Sequence, residues 1–153
     1  MNPTDVERFI VAAKSTTYVG GGSPAEPSRH GSHDLTFADG DWSYRDSYFG
    51  GTDFLGQEVV WFAGEPVWAM NYYGYILRPD LIDGARAGLT IKAALSALYA
   101  EGRFLGGFEW TGEHGHYAHR TTGDVTHFSG SETITVAAAI AYRLDYCGGL
   151  VRP

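Results

Sequence analysis

The sequence predicts an α+β fold in which a helix followed by an antiparallel meander occurs twice. The duplicated halves are expected to be related by a pseudo-two-fold and to form a curved sheet or barrel with two helices against it. One observation is an internal echo. At a constant offset of 74, Phe54, Gly56, Glu58, Tyr72 and Gly74 recur as Phe128, Gly130, Glu132, Tyr146 and Gly148, while Val60, Trp68, Asn71 and Ile76 fall on Ile134, Tyr142, Asp145 and Leu150. Apolar positions match wherever two segments bury a face, so the weight rests on the glycines and the two glutamates. The other observation is alternation of apolar and polar residues between glycine-bearing turn signals on either side of a central helical pattern. One domain over residues 1–153 follows, with half-repeats at about 4–77 and 83–151.

Taken in order, Thr4 to Ala13 reads as a helix, with Thr4 as N-cap, Glu7 three residues on as in a capping box, and Val6, Phe9, Ile10 and Ala13 at helical spacing. From Gly20 to Asp34 the chain is glycine, proline and small polar residues, a loop long enough to act as a lid. Leu35 to Phe37, Trp42 to Phe49, Phe54 to Phe62 and Val67 to Tyr75 read as four strands. Asp83 to Ala100 is the second helix, stopped at Gly102. Strand patterns return at Phe104 to Trp110, His116 to Thr121, Thr126 to Val136 and Ile140 to Tyr146. A Gly64-Glu65 turn with glycine first would pair Ala63 with Pro66, which sets Glu58 against Asn71, Gly56 against Tyr73 and, by the offset, Glu132 against Asp145. Both faces of that hairpin look covered. The second turn, Ala137 to Ala139, lacks glycine and is a poor hairpin signal.

Bulk properties narrow the function classes. With 11 basic against 18 acidic residues and a net charge of −7, the surface repels phosphate backbones, so no nucleic-acid binding by this chain alone is expected. The N-terminus has no basic and apolar leader pattern, and no run of about 18 apolar residues occurs, which predicts a cytoplasmic protein without a membrane segment. The single cysteine, Cys147, cannot pair internally and reads as a buried small hydrophobe. Aromatics at 14% are the compositional outlier and suggest either core volume or an aromatic-lined pocket.

The succession S-H-D-L, Y-R-D-S-Y-F-G-G, F-L-G-Q-E-V-V, P-V-W-A-M-N-Y-Y-G and later F-S-G-S-E-T-I and Y-C-G-G-L resembles a bacterial family of small domains of unknown function. Members of that family stand alone or behind a helix-turn-helix module of the Xre type. The resemblance runs from Phe9 onward, is looser in the second half, and departs from the family pattern at the Ala137 to Ala139 turn and at Gln57. It implies no reaction, and it implies a sensing or binding part where relatives carry the DNA-reading module.

An acidic residue between apolar strand neighbours must find a partner or shift its pKa, which singles out Glu58 and Glu132. Asp46 shares a strand face with Trp42, Tyr44 and Tyr48, a carboxylate among aromatics. The expected ligand-binding set is therefore Trp42, Tyr44, Asp46, Tyr48, Glu58, Asn71, Tyr73, Glu132 and Asp145. Arg143 is the residue that would neutralise a Glu132 and Asp145 pair. His114, His116, His119 and His127 have the residue type but not the spacing of a metal centre, so no metal and no cofactor is expected. The function these residues point to is a small-molecule (effector) binding module with an aromatic pocket and buried carboxylates. The alternative is a small cofactor-independent enzyme using Glu58, Glu132 or Asp46 in acid-base chemistry. A small organic ligand is the expected partner, with a homodimer left open.

Overall fold

The computed structural model describes residues 1–22 and 24–152; Ser23, inside the predicted loop, lies outside the described residues. Its elements are α1 (Pro3–Thr16), β1 (Pro24–Ala25), β2 (His33–Asp39), β3 (Trp42–Gly50), β4 (Phe54–Phe62), β5 (Glu65–Ile76), α2 (Gly84–Ala100), β6 (Phe108–Gly112), β7 (Gly115–Asp124), β8 (His127–Val136) and β9 (Ala139–Leu150). The strands form one antiparallel sheet in the order β1-β2-β3-β4-β5-β9-β8-β7-β6, with α1 against β2 and β3 and α2 against β6 and β7. The fold is thus α+β with an open sheet; the expected alternative of a closed barrel does not form, since β1 and β6 are its two edges. Among the described residues no helix is long and apolar enough to cross a membrane.

The cap of helix α1 is Asn2, two residues before the predicted Thr4. Asn2 Oδ1 accepts from the Thr4 amide at 3.1 Å and Pro3 occupies the first turn, where its fixed φ suits a helix and its missing N–H costs nothing. Asp83, read from sequence as the first residue of the second helix, is its cap, accepting from the Arg86 amide at 2.8 Å. Phe104 and Leu105 lie before β6 in a turn and are buried in the core rather than in a strand.

The register of the β4–β5 hairpin differs from the predicted one. The turn is Ala63-Gly64, with φ of 51° and 85°, so Phe62 opposes Glu65, and a bulge at Val60/Trp61 shifts the ladder. Glu58 therefore opposes Met70, Gly56 opposes Tyr72, and Asn71 opposes Gln57 on the other face, where the two amides bond at 3.0 Å. A slip of one residue exchanges faces. The observed register buries Trp68 and Met70 and half-buries Tyr72 beneath the helices, whereas the predicted one would have turned Ala69, Asn71 and Tyr73 to that side, which offer less apolar area. The same correction holds at β8–β9: Glu132 opposes Leu144, and the exposed Asp145 bonds to Arg143 at 2.6 Å instead. This hairpin also has a bulge, at Ile134/Thr135, and a turn with both central φ positive, Ala137 at 48° and Ala138 at 63°.

Among the described residues the helices cover one face of the sheet, so the expectation that both faces of the β4–β5 hairpin are covered fails. Leu55 and Tyr73 are exposed on the other face, and so is Cys147, which is not the buried hydrophobe predicted. Residues 28–32 lie against that outer face. Ser28, Ser32 and Arg45 each bond Asp34 at 2.6 Å, and Ser47 does so at 3.0 Å. Burial opposes ionisation of Asp34, but these donors hold its carboxyl well below the usual range. This part of the predicted lid is thereby fastened away from the helix-covered face.

Ala138 is expected to be a weak point, because an alanine at positive φ is strained where glycine is not. Ala138→Gly should raise stability by roughly 0.5–1 kcal/mol, read from the urea midpoint. A drop in midpoint would show that this turn does not need the left-handed conformation.

Candidate functional site

A cavity of about 290 Å³ lies between the helix-covered face of the sheet and α2. Strand alternation puts Asp46 and Tyr48 of β3, Glu58 of β4, Met70 and Tyr72 of β5 and Glu132 of β8 on that face. Ala87, Gly88, Ile91 and Leu95 of α2 form the opposing wall. The end of the cavity is closed by α1, which contributes Lys14. Lys14 stands one helical turn after Ile10 on the stripe formed by Val6, Phe9, Ile10 and Ala13, so burying that stripe buries the lysine as well.

The charges in this apolar setting are unusual. Lys14 Nζ reaches Glu58 Oε1 at 2.6 Å, with both side chains more than nine-tenths buried. Asp46 lies directly across the strand pair from Glu58 and accepts a 2.6 Å bond from the Tyr72 hydroxyl. Burial and the negative charge of Glu58 push Asp46 up to about 7, against the pull of the Tyr72 bond and Lys14. Burial likewise raises Glu132 to about 7, opposed by Lys14 and reinforced by Glu58. Both groups therefore exchange protons near neutral pH. Glu58 Oε2, Glu132 Oε2 and the Tyr142 hydroxyl are buried without a hydrogen-bond partner among the described residues. The phenols of Tyr18, Tyr72, Tyr99 and Tyr142 are raised above their ordinary range by burial first and by these carboxylates second, so they remain protonated donors.

A family model described as "Domain of unknown function (DUF5680)" matches residues 46–151. The chain belongs to this family. No match is found to a curated protein or to a solved structure. The DUF5680 match begins at Asp46 and contains Glu58, Tyr72, Tyr99 and Glu132, whereas Lys14 and Tyr18 precede it. The cavity thus joins residues inside the DUF5680 segment to one helix outside it.

Of the residues singled out from sequence, Asp46, Tyr48, Glu58 and Glu132 line the cavity. Trp42 does not; it stacks on Phe9 at 5.2 Å and meets Phe62 at 4.8 Å. Tyr44 is buried in the core beside Val60. Asn71, Tyr73 and Asp145 point from the opposite face, Tyr73 stacked on Tyr75. Lys14, Tyr18, Tyr72, Tyr99 and Tyr142 were not foreseen. Lys14 had a visible signal, a lone charge on the apolar stripe of α1, while the tyrosines were indistinguishable from core aromatics. His116 bonds Thr111 on an exposed surface, and His119 is buried against Tyr146; among the described residues no group of three or more potential metal ligands converges.

In the other half of the sheet, His119 opposes Glu132 as Asp46 opposes Glu58, and Tyr146 bonds His119 as Tyr72 bonds Asp46. Burial lowers His119 to about 4, so it stays neutral where Asp46 carries an exchangeable proton. The space above this half is filled by Phe104 and Phe128, packed on Trp68, whose indole N–H donates to the Val125 carbonyl at 3.1 Å.

Proposed function

We propose that this DUF5680 chain is a cytoplasmic binding module for a small organic ligand, held in the aromatic cavity at Asp46, Glu58 and Glu132. The observation that supports it most is the collection of three carboxylates and one lysine, all buried, on the walls of one cavity. A core that served folding alone would be more stable with apolar residues at these positions, because desolvated charges offset much of their own attraction. The size also fits, at the lower end of ligand cavities and suited to on the order of ten non-hydrogen atoms. We read the two halves as an internal duplication in which one half holds the cavity and the other has been filled. The resemblance to domains that stand behind a helix-turn-helix module suits an effector-sensing role.

Gly88 supplies the test, since an added Cβ there meets no atom within 4 Å. Gly88→Leu should fill the cavity while keeping or improving helix stability by up to about 1 kcal/mol. In a thermal-shift screen of a small-molecule library, hits on the wild type should be lost in Gly88→Leu. Hits that stabilise both proteins equally would refute binding in the cavity.

Acid-base catalysis is the second reading, favoured by the two carboxyl groups near 7. It requires turnover of a hit compound, and loss of turnover but not of binding in Asp46→Asn. Stoichiometric binding without turnover excludes it for that compound.

A further inference from the structure

We infer that the ligand is a small organic cation, a protonated amine attached to an apolar or aromatic body, whose N–H donors go to Glu58 Oε2 and Glu132 Oε2. This rests on the cavity being a ligand site. Glu58 and Glu132 are each nine-tenths or more buried, both line the cavity, and both have an oxygen without a partner among the described residues. Buried acceptors of this kind call for donors, and charged donors serve carboxylates best.

The buried ammonium is committed elsewhere, and the donors left beside Glu132, the buried Tyr117 and Tyr142 hydroxyls, are neutral and have no hydrogen-bond partner among the described residues. Lys14 is bonded to the other oxygen of Glu58, and the Tyr72 hydroxyl is bonded to Asp46. Lys92, the other lysine at the cavity, is exposed and lies over the Tyr18 ring at 5.5 Å. Three buried carboxylates thus face one buried ammonium, which disfavours an anionic ligand and leaves room for a cation. Tyr48, Phe54 and Tyr99 add aromatic walls, a residue type that attracts an ammonium and packs against an apolar body.

Binding should release protons. Glu132 is faced by Lys14 of α1, Glu58 of β4, Tyr117 and His119 of β7, Tyr99 of α2, and Tyr142 and Tyr146 of β9. Asp46 is faced by Lys14, Glu58, Tyr44, Tyr48 and Tyr72, with Asp34 farther off. The tyrosines remain neutral and His119 remains neutral above about 4, so near pH 7 the exchangeable protons are those of Asp46 and Glu132. A bound cation favours their ionised forms and expels these protons. Affinity should then rise with pH up to the point where both groups are ionised in the free protein.

The probes are 2-phenylethylamine, 2-phenylethanol and phenylacetate, measured by calorimetry in two buffers of different ionisation enthalpy from about pH 6 to about pH 8. The amine is expected to bind tenfold or more tightly than either analogue, to release protons, and to tighten by about three- to tenfold across that range. Glu132→Gln and Asp46→Asn should each reduce both the preference for the amine and the proton release. Equal or tighter binding of the alcohol or of phenylacetate, or amine binding without proton release, would overturn the cation assignment. So would the absence of binding by all three, and in each case the cavity reading is decided separately by the Gly88→Leu screen.

Discussion

Lys14→Met is expected to destabilise the protein by about 3–5 kcal/mol at neutral pH, a large share of the roughly 5–15 kcal/mol that holds a domain of this size folded. Methionine fills much the same volume, so the loss is electrostatic. Glu58 would be left as a buried carboxylate without its 2.6 Å partner, directly across from Asp46. Glu58→Gln should cost less, about 1–3 kcal/mol, because the ammonium it strands still faces Asp46 and Glu132, whose charges can replace the lost one. The double variant should be more stable than the sum of the single losses implies, with a coupling of about 1–3 kcal/mol. Urea denaturation of all four proteins checks this cycle. A Lys14→Met protein within about 1 kcal/mol of the wild type would mean that the buried pair does not form.

The pH dependence of stability should change when Glu132 is replaced by Gln. Its folded pKa of about 7 lies above the ordinary 4.5, so the folded state holds this proton more tightly than the unfolded chain does. Stability from this group is therefore full below about 4.5 and declines as pH rises toward about 7, by about 3 kcal/mol in all at 1.36 kcal/mol per unit. Asp46 contributes in the same direction. His119, lowered to about 4, contributes in the opposite one, adding stability as pH rises from about 4 to 6.5. The wild-type profile mixes all three, but the difference between Glu132→Gln and wild type isolates one. That difference should shift in favour of the variant by about 3 kcal/mol between about pH 4.5 and pH 8. A difference that is flat across this range would show that Glu132 titrates normally.

The two variants also bear on how the site is built. Lys14 compensates one of three carboxylates, and the other two reach a tolerable state by holding protons. A cationic ligand would serve them as Lys14 serves Glu58. This dependence on protonation is the cost of placing the carboxylates between apolar strand neighbours.

Much of this arrangement was legible in the sequence. Local periodicity marked both helices and eight of the strands, because apolar spacing reports which side of an element can be buried. It also marked Glu58, Glu132 and Asp46, since a carboxylate among apolar neighbours stands out whatever lies opposite it. What periodicity could not supply was the opposing residue. A turn rule favouring glycine in first position set Glu58 against Asn71, and the structure instead places Ala63 at positive φ and inserts a bulge.

Those two local departures are decided by the gain from burying Trp68 and Met70 and packing Tyr72 against them, a sum over the whole sheet that no four-residue turn preference contains. For the same reason Asp145 and Tyr73 left the predicted site and Lys14 entered it. The pairing of β5 with β9 joins segments far apart in the chain, and the docking of α1 on β2 and β3, which brings Lys14 to Glu58, depends on loops whose sequence carries no periodic signal. The sequence by itself determined the α+β composition, the alternation of faces and the presence of carboxylates that had to be answered. Only the tertiary structure decided that a lysine from the first helix answers one of them, because hydrophobic burial chooses register and helix placement globally while the sequence pattern speaks only for its own element.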